Sequence, residues 1–237
     1  MRMAACGWSY SVCVLEDGAV LTWGAAACGQ LGHPQRLRQR SPKVVEALAG
    51  ERVVMAACGE NHSVALTDSG SVYAWGSGAN GRLGIGDGSG DSGGVGGSGG
   101  GGGGGGEAPA QMSTPTRVDF TDGDDDARVV RMAHISCGYN HTGACDVHGN
   151  VYTWGKGSNG VLGHGETRDE LWPRRVEAAS MASERIVQVS CGYKHTAVTA
   201  ESGALFVWGC KDNGRLGGAD RPAGSAAGGG ADCVGAM

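Results

Sequence analysis

The sequence predicts an all-β fold, a β-propeller segment of about four blades with four antiparallel strands each, on three observations. A block of residues recurs four times at constant internal spacing. Each block divides into short apolar or alternating runs closed by glycine turns. No stretch carries the 3.6-residue apolar period of an amphipathic helix.

The recurrence is anchored by Cys6-Gly7, Cys58-Gly59, Cys137-Gly138 and Cys191-Gly192. In every copy a Trp-Gly pair follows at the same distance from the cysteine, at Trp23, Trp75, Trp154 and Trp208. Leu-Gly comes after it, again at a constant offset, at Leu31, Leu83, Leu162 and Leu216. A glycine also stands at one fixed place between cysteine and tryptophan, at Gly18, Gly70, Gly149 and Gly203. The interval from Cys6 to Cys58 nearly equals that from Cys137 to Cys191. The second copy shows the strands in order. RVVMAACG is a β-branched run shrinking to small residues. HSVALT alternates apolar with polar, and DSG turns the chain where glycine accepts positive φ. SVYAWG returns, and TPTRV forms a short edge strand opened by proline. A four-stranded antiparallel unit of this length, repeated, is a propeller blade.

One interval departs from the period: Cys58 and Cys137 stand much further apart than the other neighbouring pairs. Most of the excess is a polyglycine tract, so residues 85–112 are expected to be a disordered insertion within the second repeat. The rest is the acidic run around Asp124, Asp125 and Asp126, which lacks the ligand spacing of a calcium loop. The expected organisation is therefore one domain of repeats, 1–217, divided at 1–52, 53–128, 129–185 and 186–217, with a low-complexity tail at 218–237. The fourth copy lacks a last strand.

The blocks CGENHSVALTDSGSVYAWGSGANGRLG, CGYNHTGACDVHGNVYTWGKGSNGVLG and CGYKHTAVTAESGALFVWGCKDNGRLG resemble the RCC1 (regulator of chromosome condensation) repeat family. The resemblance covers nearly the whole chain outside 85–112 and the tail. It implies that the four blades are part of a seven-bladed ring, with closure by self-association or a four-bladed ring as alternatives. It also implies a regulatory, non-enzymatic scaffold that binds a protein partner. The alternative it carries is guanine-nucleotide exchange on a Ran-like small GTPase, which a flexible polyglycine insertion is poorly suited to drive. Family members that sense light stack tryptophans on G-W-R-H-T turns; only Trp8, in CGWSYS, stands in such a turn here.

Composition narrows the function classes. The net charge of −5 gives no electrostatic case for nucleic acid. No long apolar run suggests a membrane span, and the N-terminus reads as blade sequence rather than a secretion signal, so a cytoplasmic or nuclear location is expected. The nine cysteines include no C-x-x-C pair. Those at the repeat position are expected to be small buried thiols rather than metal ligands or disulfides. His62, His141 and His195 lie four residues after the repeat cysteines, with Tyr10 in that place in the first copy, and are expected to pack and hydrogen-bond rather than catalyse. The four repeat tryptophans are expected in the core. No cofactor or metal site is expected: G-x-G-x-x-G at Gly76–Gly81 has counterparts in the other copies and no helix follows it.

Partner-binding candidates lie where the framework stops dictating residue type. Strand direction puts the Cys-Gly turns and the loops after Trp-Gly on one face, called the top. The two residues after each Cys-Gly vary: Trp8-Ser9, Glu60-Asn61, Tyr139-Asn140 and Tyr193-Lys194. Trp and Tyr at exposed tips are suited to anchoring a partner. The loop carrying Arg36, Arg38 and Arg40 is expected at the rim of the same surface, suited to an acidic partner.

Overall fold

The computed structural model describes residues 1–86, 111–120 and 130–217. Among these residues, fifteen strands form four antiparallel meanders. The first sheet holds β1 (Met3–Cys6), β2 (Tyr10–Val14), β3 (Val20–Gly24) and β4 (Gln39–Val44). The second holds β5 (Val53–Cys58), β6 (His62–Thr67), β7 (Val72–Ser77) and β8 (Gln111–Val118). In the third are β9 (Met132–Cys137), β10 (His141–Asp146), β11 (Val151–Gly155) and β12 (Glu170–Arg175). The fourth has three strands among the described residues: β13 (Ile186–Cys191), β14 (His195–Ala200) and β15 (Leu205–Gly209).

The sheets stack as blades. The first strands lie side by side, β1 against β5, β5 against β9 and β9 against β13, so they line the inner side and the fourth strands lie outermost. The four sheets do not close into a ring. One apolar cluster fills each junction; between the second and third sheets Val64, Leu83, Ile135, Tyr152 and Trp154 are all buried.

Each outer strand carries a bulge opposite the Trp-Gly pair, at Thr22/Gly24, Ala74/Gly76 and Thr153/Gly155 of the facing strand. Pro42, Pro115 and Pro173 fall within the bulged segments, where a residue without an N–H breaks no ladder bond. Strand β8 begins at Gln111, earlier than TPTRV and inside the range assigned to the insertion, while Gly86 donates its N–H to the Leu171 carbonyl at 3.1 Å. The rest of that insertion, the acidic run and the tail lie outside the described residues.

The junctions repeat one chemistry. The residue before Leu-Gly offers its carbonyl to the following sheet, which grips it with a tryptophan Nε1 and a hydroxyl. The Gln30 carbonyl takes Trp75 (2.9 Å) and Ser63 (2.9 Å). That of Arg82 takes Trp154 (3.1 Å) and Thr142 (2.8 Å), and that of Val161 takes Trp208 (2.8 Å) and Thr196 (2.8 Å). The same hydroxyls meet the preceding sheet's histidine: His62 Nε2 lies 3.0 Å from Thr142 Oγ1, and His141 Nε2 lies 3.0 Å from Thr196 Oγ1. Tyr10 takes this role in the first sheet, donating to the His62 carbonyl and standing 3.1 Å from Ser63 Oγ. Burial holds His141 neutral, its pKa pushed down to about 4, and lowers His62 well below the usual imidazole value.

Two expectations are corrected for the same physical reason. Trp75, Trp154 and Trp208 are buried, but Trp23 is only half-buried, because no described sheet precedes the first and its ring lacks the carbonyl and packing surface the others have. Cys6 is exposed rather than buried, whereas Cys58, Cys137 and Cys191 are half-buried. Burial pushes the thiols of Cys58 and Cys191 up to about 12 and raises that of Cys137, which keeps them protonated and unreactive.

The opposite face has its own clamp. Arg52, Arg131 and Arg185 each stand six residues before a repeat cysteine and reach a carbonyl in the preceding sheet's turn: Glu16 (3.4 Å), Ser69 (3.0 Å) and Val147 (2.9 Å). Their fixed spacing was a usable signal that the repeat alignment passed over.

Candidate functional site

The top turns are built on glycine. At Gly59, Gly138 and Gly192 a Cβ would overlap the ring of His62, His141 or His195, so only glycine lets the turn close over that ring. The backbone of the next two residues is then pinned from the loop beyond Trp-Gly: the carbonyls of Ser9, Asn61, Asn140 and Lys194 accept from Ala25, Ser77, Lys156 and Cys210 at 2.8–2.9 Å. Neighbouring turns are also joined directly. Glu60 N donates to the Tyr139 carbonyl (3.2 Å) and Tyr139 N to the Gly192 carbonyl (3.3 Å).

On this frame the three aromatic tips meet. Trp8 and Tyr139 pack edge to face with ring centroids 6.1 Å apart, and Tyr139 and Tyr193 lie 4.5 Å apart at a tilt of 52°. Trp8 is 74% exposed and Tyr193 56%, so the cluster is a continuous aromatic surface open to solvent. Lys194 Nζ sits 5.4 Å from the centre of the Tyr193 ring. Trp8 meets a tyrosine and, among the described residues, no second tryptophan.

The remaining candidates separate. Glu60 is engaged internally: it accepts from Tyr139 Oη (2.7 Å) and pairs with the buried Arg82 (3.5 Å). The bond to Glu60, then partial burial, raises the Tyr139 phenol. Asn61 and Asn140 are half-buried, and the Asn140 Oδ1 atom is buried with no hydrogen-bond partner. Arg36 and Arg38 lie in the loop that precedes the outermost strand and Arg40 near the start of that strand, on the same face but three strand spacings or roughly 14 Å from the inner turns. Arg36 is committed there, bonding Ser113 Oγ (2.7 Å) and Gln111 of β8, while Arg38 and Arg40 are exposed near it. The structure therefore groups Trp8, Tyr139, Tyr193 and Lys194, and sets Arg36, Arg38 and Arg40 apart from them.

Sequence reasoning passed over Lys156, which reaches the surface from the loop after Trp-Gly of the third copy. A cleft of about 200 Å³ opens there between the third and fourth sheets, with Tyr139, Asn140, Lys156, Tyr193 and Lys194 on its walls. Among the described residues, no group of three or more His, Cys, Asp and Glu side chains is placed to hold a metal ion.

Comparison with known proteins agrees with this architecture. The ultraviolet-B receptor UVR8 of Arabidopsis thaliana is 35% identical over 217 residues, 92% of this chain and 43% of the relative. The E3 ubiquitin-protein ligase HERC2 of Homo sapiens is 33% identical over 90% of this chain but only 4% of its own length. Protein RCC2 of Mus musculus is 31% identical over 87% of this chain and 49% of the relative. The chain thus spans less than half the length of each. Among solved structures, human WBSCR16 superposes with a TM-score of 0.72 at 24% identity, covering 90% of this chain and 48% of that one. Prp20p from Saccharomyces cerevisiae, whose structure is described with its binding to Gsp1p and histones, does so with 0.66 at 21% identity over 90% and 44%. These likenesses show the fold, a partial propeller of RCC1 type. The family model for the RCC1-like domain matches residues 1–228, and the chain belongs to that family.

Proposed function

We propose that this chain is a non-enzymatic protein-interaction module, a regulatory scaffold that binds a protein partner through its top face. The observation that carries the reading is the contiguous, exposed cluster of Trp8, Tyr139 and Tyr193 on turns whose backbone is pinned by the loops beyond Trp-Gly. Large aromatic side chains on a rigid frame anchor a partner at little cost in conformational freedom. The proposed repeat boundaries, 1–52, 53–128, 129–185 and 186–217, put one such turn in each unit. The proposed setting is cytoplasmic or nuclear; among the described residues no helix is long and apolar enough to cross a membrane.

The test is a pull-down from cell lysate with the triple variant Trp8→Ala, Tyr139→Ala, Tyr193→Ala, its folding checked by circular dichroism. The control neutralises Glu16, Asp68 and Glu201 on the opposite turns, where exposed ion pairs contribute little to stability. A folded aromatic variant loses partners that the control retains. Retention by the aromatic variant with loss by the control would reverse the assignment. Exchange on a Ran-like GTPase is the alternative; a nucleotide-release assay separates it, with no acceleration expected.

A further inference from the structure

The cleft between the third and fourth sheets has a composition of its own. It contains two cations, Lys156 and Lys194, and among the described residues neither lies within 4.0 Å of a carboxylate. The acidic groups on neighbouring segments are already engaged. Glu60 is held by Arg82 and Tyr139, and Asp169 accepts from Gly157 N (2.9 Å) and Asn80 Nδ2 (2.8 Å). Asn140, half-buried, completes the polar part of the cleft wall. Tyr139 and Tyr193 supply an aromatic wall.

These features select a ligand. At about 200 Å³ the cleft falls below the roughly 300 Å³ at which small-molecule and cofactor sites begin, and suits a single side chain. Two ammonium groups call for a carboxylate. The tyrosines call for an apolar flank. A phosphate satisfies the lysines but brings nothing apolar for the tyrosines, and a nucleic-acid strand would need a longer basic track than two lysines provide.

Resting on the top-face reading, we infer that this cleft takes an aspartate or glutamate side chain of an extended peptide segment of the partner. The lysine backbones are fixed by the Lys156 N to Asn140 O bond (2.9 Å) and the Cys210 N to Lys194 O bond (2.8 Å), so both flexible side chains spring from set points on the cleft wall. The neighbouring aromatic cluster holds the rest of the segment.

The experiment selects a random peptide-display library against the wild-type chain and against the Lys156→Gln, Lys194→Gln variant. Lys194 is exposed and Lys156 half-buried, and neither pairs with a carboxylate among the described residues, so the variant stays close to the wild-type melting temperature. Wild-type selections enrich Asp or Glu next to an apolar residue. The best selected peptide, measured by fluorescence anisotropy, binds the variant about tenfold or more weakly, and its wild-type affinity falls with salt. Absence of acidic enrichment, equal affinity for the variant, or tighter binding of a single-stranded oligonucleotide than of any peptide overturns the inference. The same variant enters the lysate pull-down. If the aromatic triple variant releases partners and the lysine variant keeps them all, the top-face reading stands and the acidic ligand falls. If neither releases any, both fall.

Discussion

Replacing Trp154 with alanine removes a fully buried indole from the junction between the second and third sheets, together with its bond to the Arg82 carbonyl. A tryptophan side chain buries about 200 Å², which at about 25 cal/mol per Å² is about 5 kcal/mol. The carbonyl keeps Thr142 as a donor, so the lost hydrogen bond leaves no buried acceptor unpaired. The expected loss is therefore about 3–5 kcal/mol, the range of large-to-small core changes. Trp23 occupies the same repeat position but is half-buried, so Trp23→Ala should cost less than half as much, about 1–2 kcal/mol. Trp8→Ala, at an exposed tip, should cost about 0.5 kcal/mol or less. Urea unfolding followed by near-ultraviolet circular dichroism measures all three. If Trp23→Ala is as damaging as Trp154→Ala, burial against the preceding sheet is not what makes this position matter, and the junction account fails.

The buried imidazoles predict acid sensitivity. Above the unfolded value of about 6.5, His141 is neutral in both states and adds no pH dependence. Below it the unfolded chain takes up a proton that the folded chain resists until about pH 4, so stability falls across that window, by about 3 kcal/mol from His141 alone. His141→Tyr, copying Tyr10 of the first sheet, should flatten the decline in denaturant midpoints measured between pH 7 and 4; an unchanged slope would refute the assignment. A second expectation concerns Thr153, which donates to the Leu162 carbonyl (2.6 Å) and meets His164 Nε2 at 3.0 Å, as Thr22 does with Leu31 and His33. The second copy has Ala74 and Ile85 at the two positions. Thr153→Ala should cost about 1–3 kcal/mol by stranding polar groups, and Thr153→Ala with His164→Ile should recover most of it; additive losses in thermal melts would count against the pairing.

Most of the fold was legible because a repeat converts one weak signal into four aligned ones. The strands and the glycine turns followed from spacing. The junction clamp was not legible, and the reason is chemical. Its acceptor is a backbone carbonyl, so Gln30, Arg82 and Val161 occupy one position with unrelated side chains and look unconstrained. Nor does a repeat alignment record neighbours: Trp23 and Cys6 match their counterparts in sequence but differ in burial because burial comes from the adjoining sheet. Pro42, Pro115 and Pro173 were readable as edge markers, while the bulges that accommodate them emerged only from the pairing register.

The candidate surface divides along the same line. Variable aromatic tips could be found in the sequence because the framework around them is fixed, but their meeting depends on the stacking of successive sheets, which no single copy encodes. The arginine loop shares their face and was expected beside them, yet a loop entering the outermost strand is carried away from the inner turns by the width of the sheet. Glu60 occupies the tip position in the second copy, and its carboxylate turns sideways to tie Arg82 to Tyr139. That leaves Tyr139 held through its side chain to one neighbour and through its backbone to both, between two rings that remain open to solvent. A surface assembled this way loses little freedom on binding, so substitutions at Trp8 and Tyr193 should act on how long a partner stays rather than on how fast it arrives.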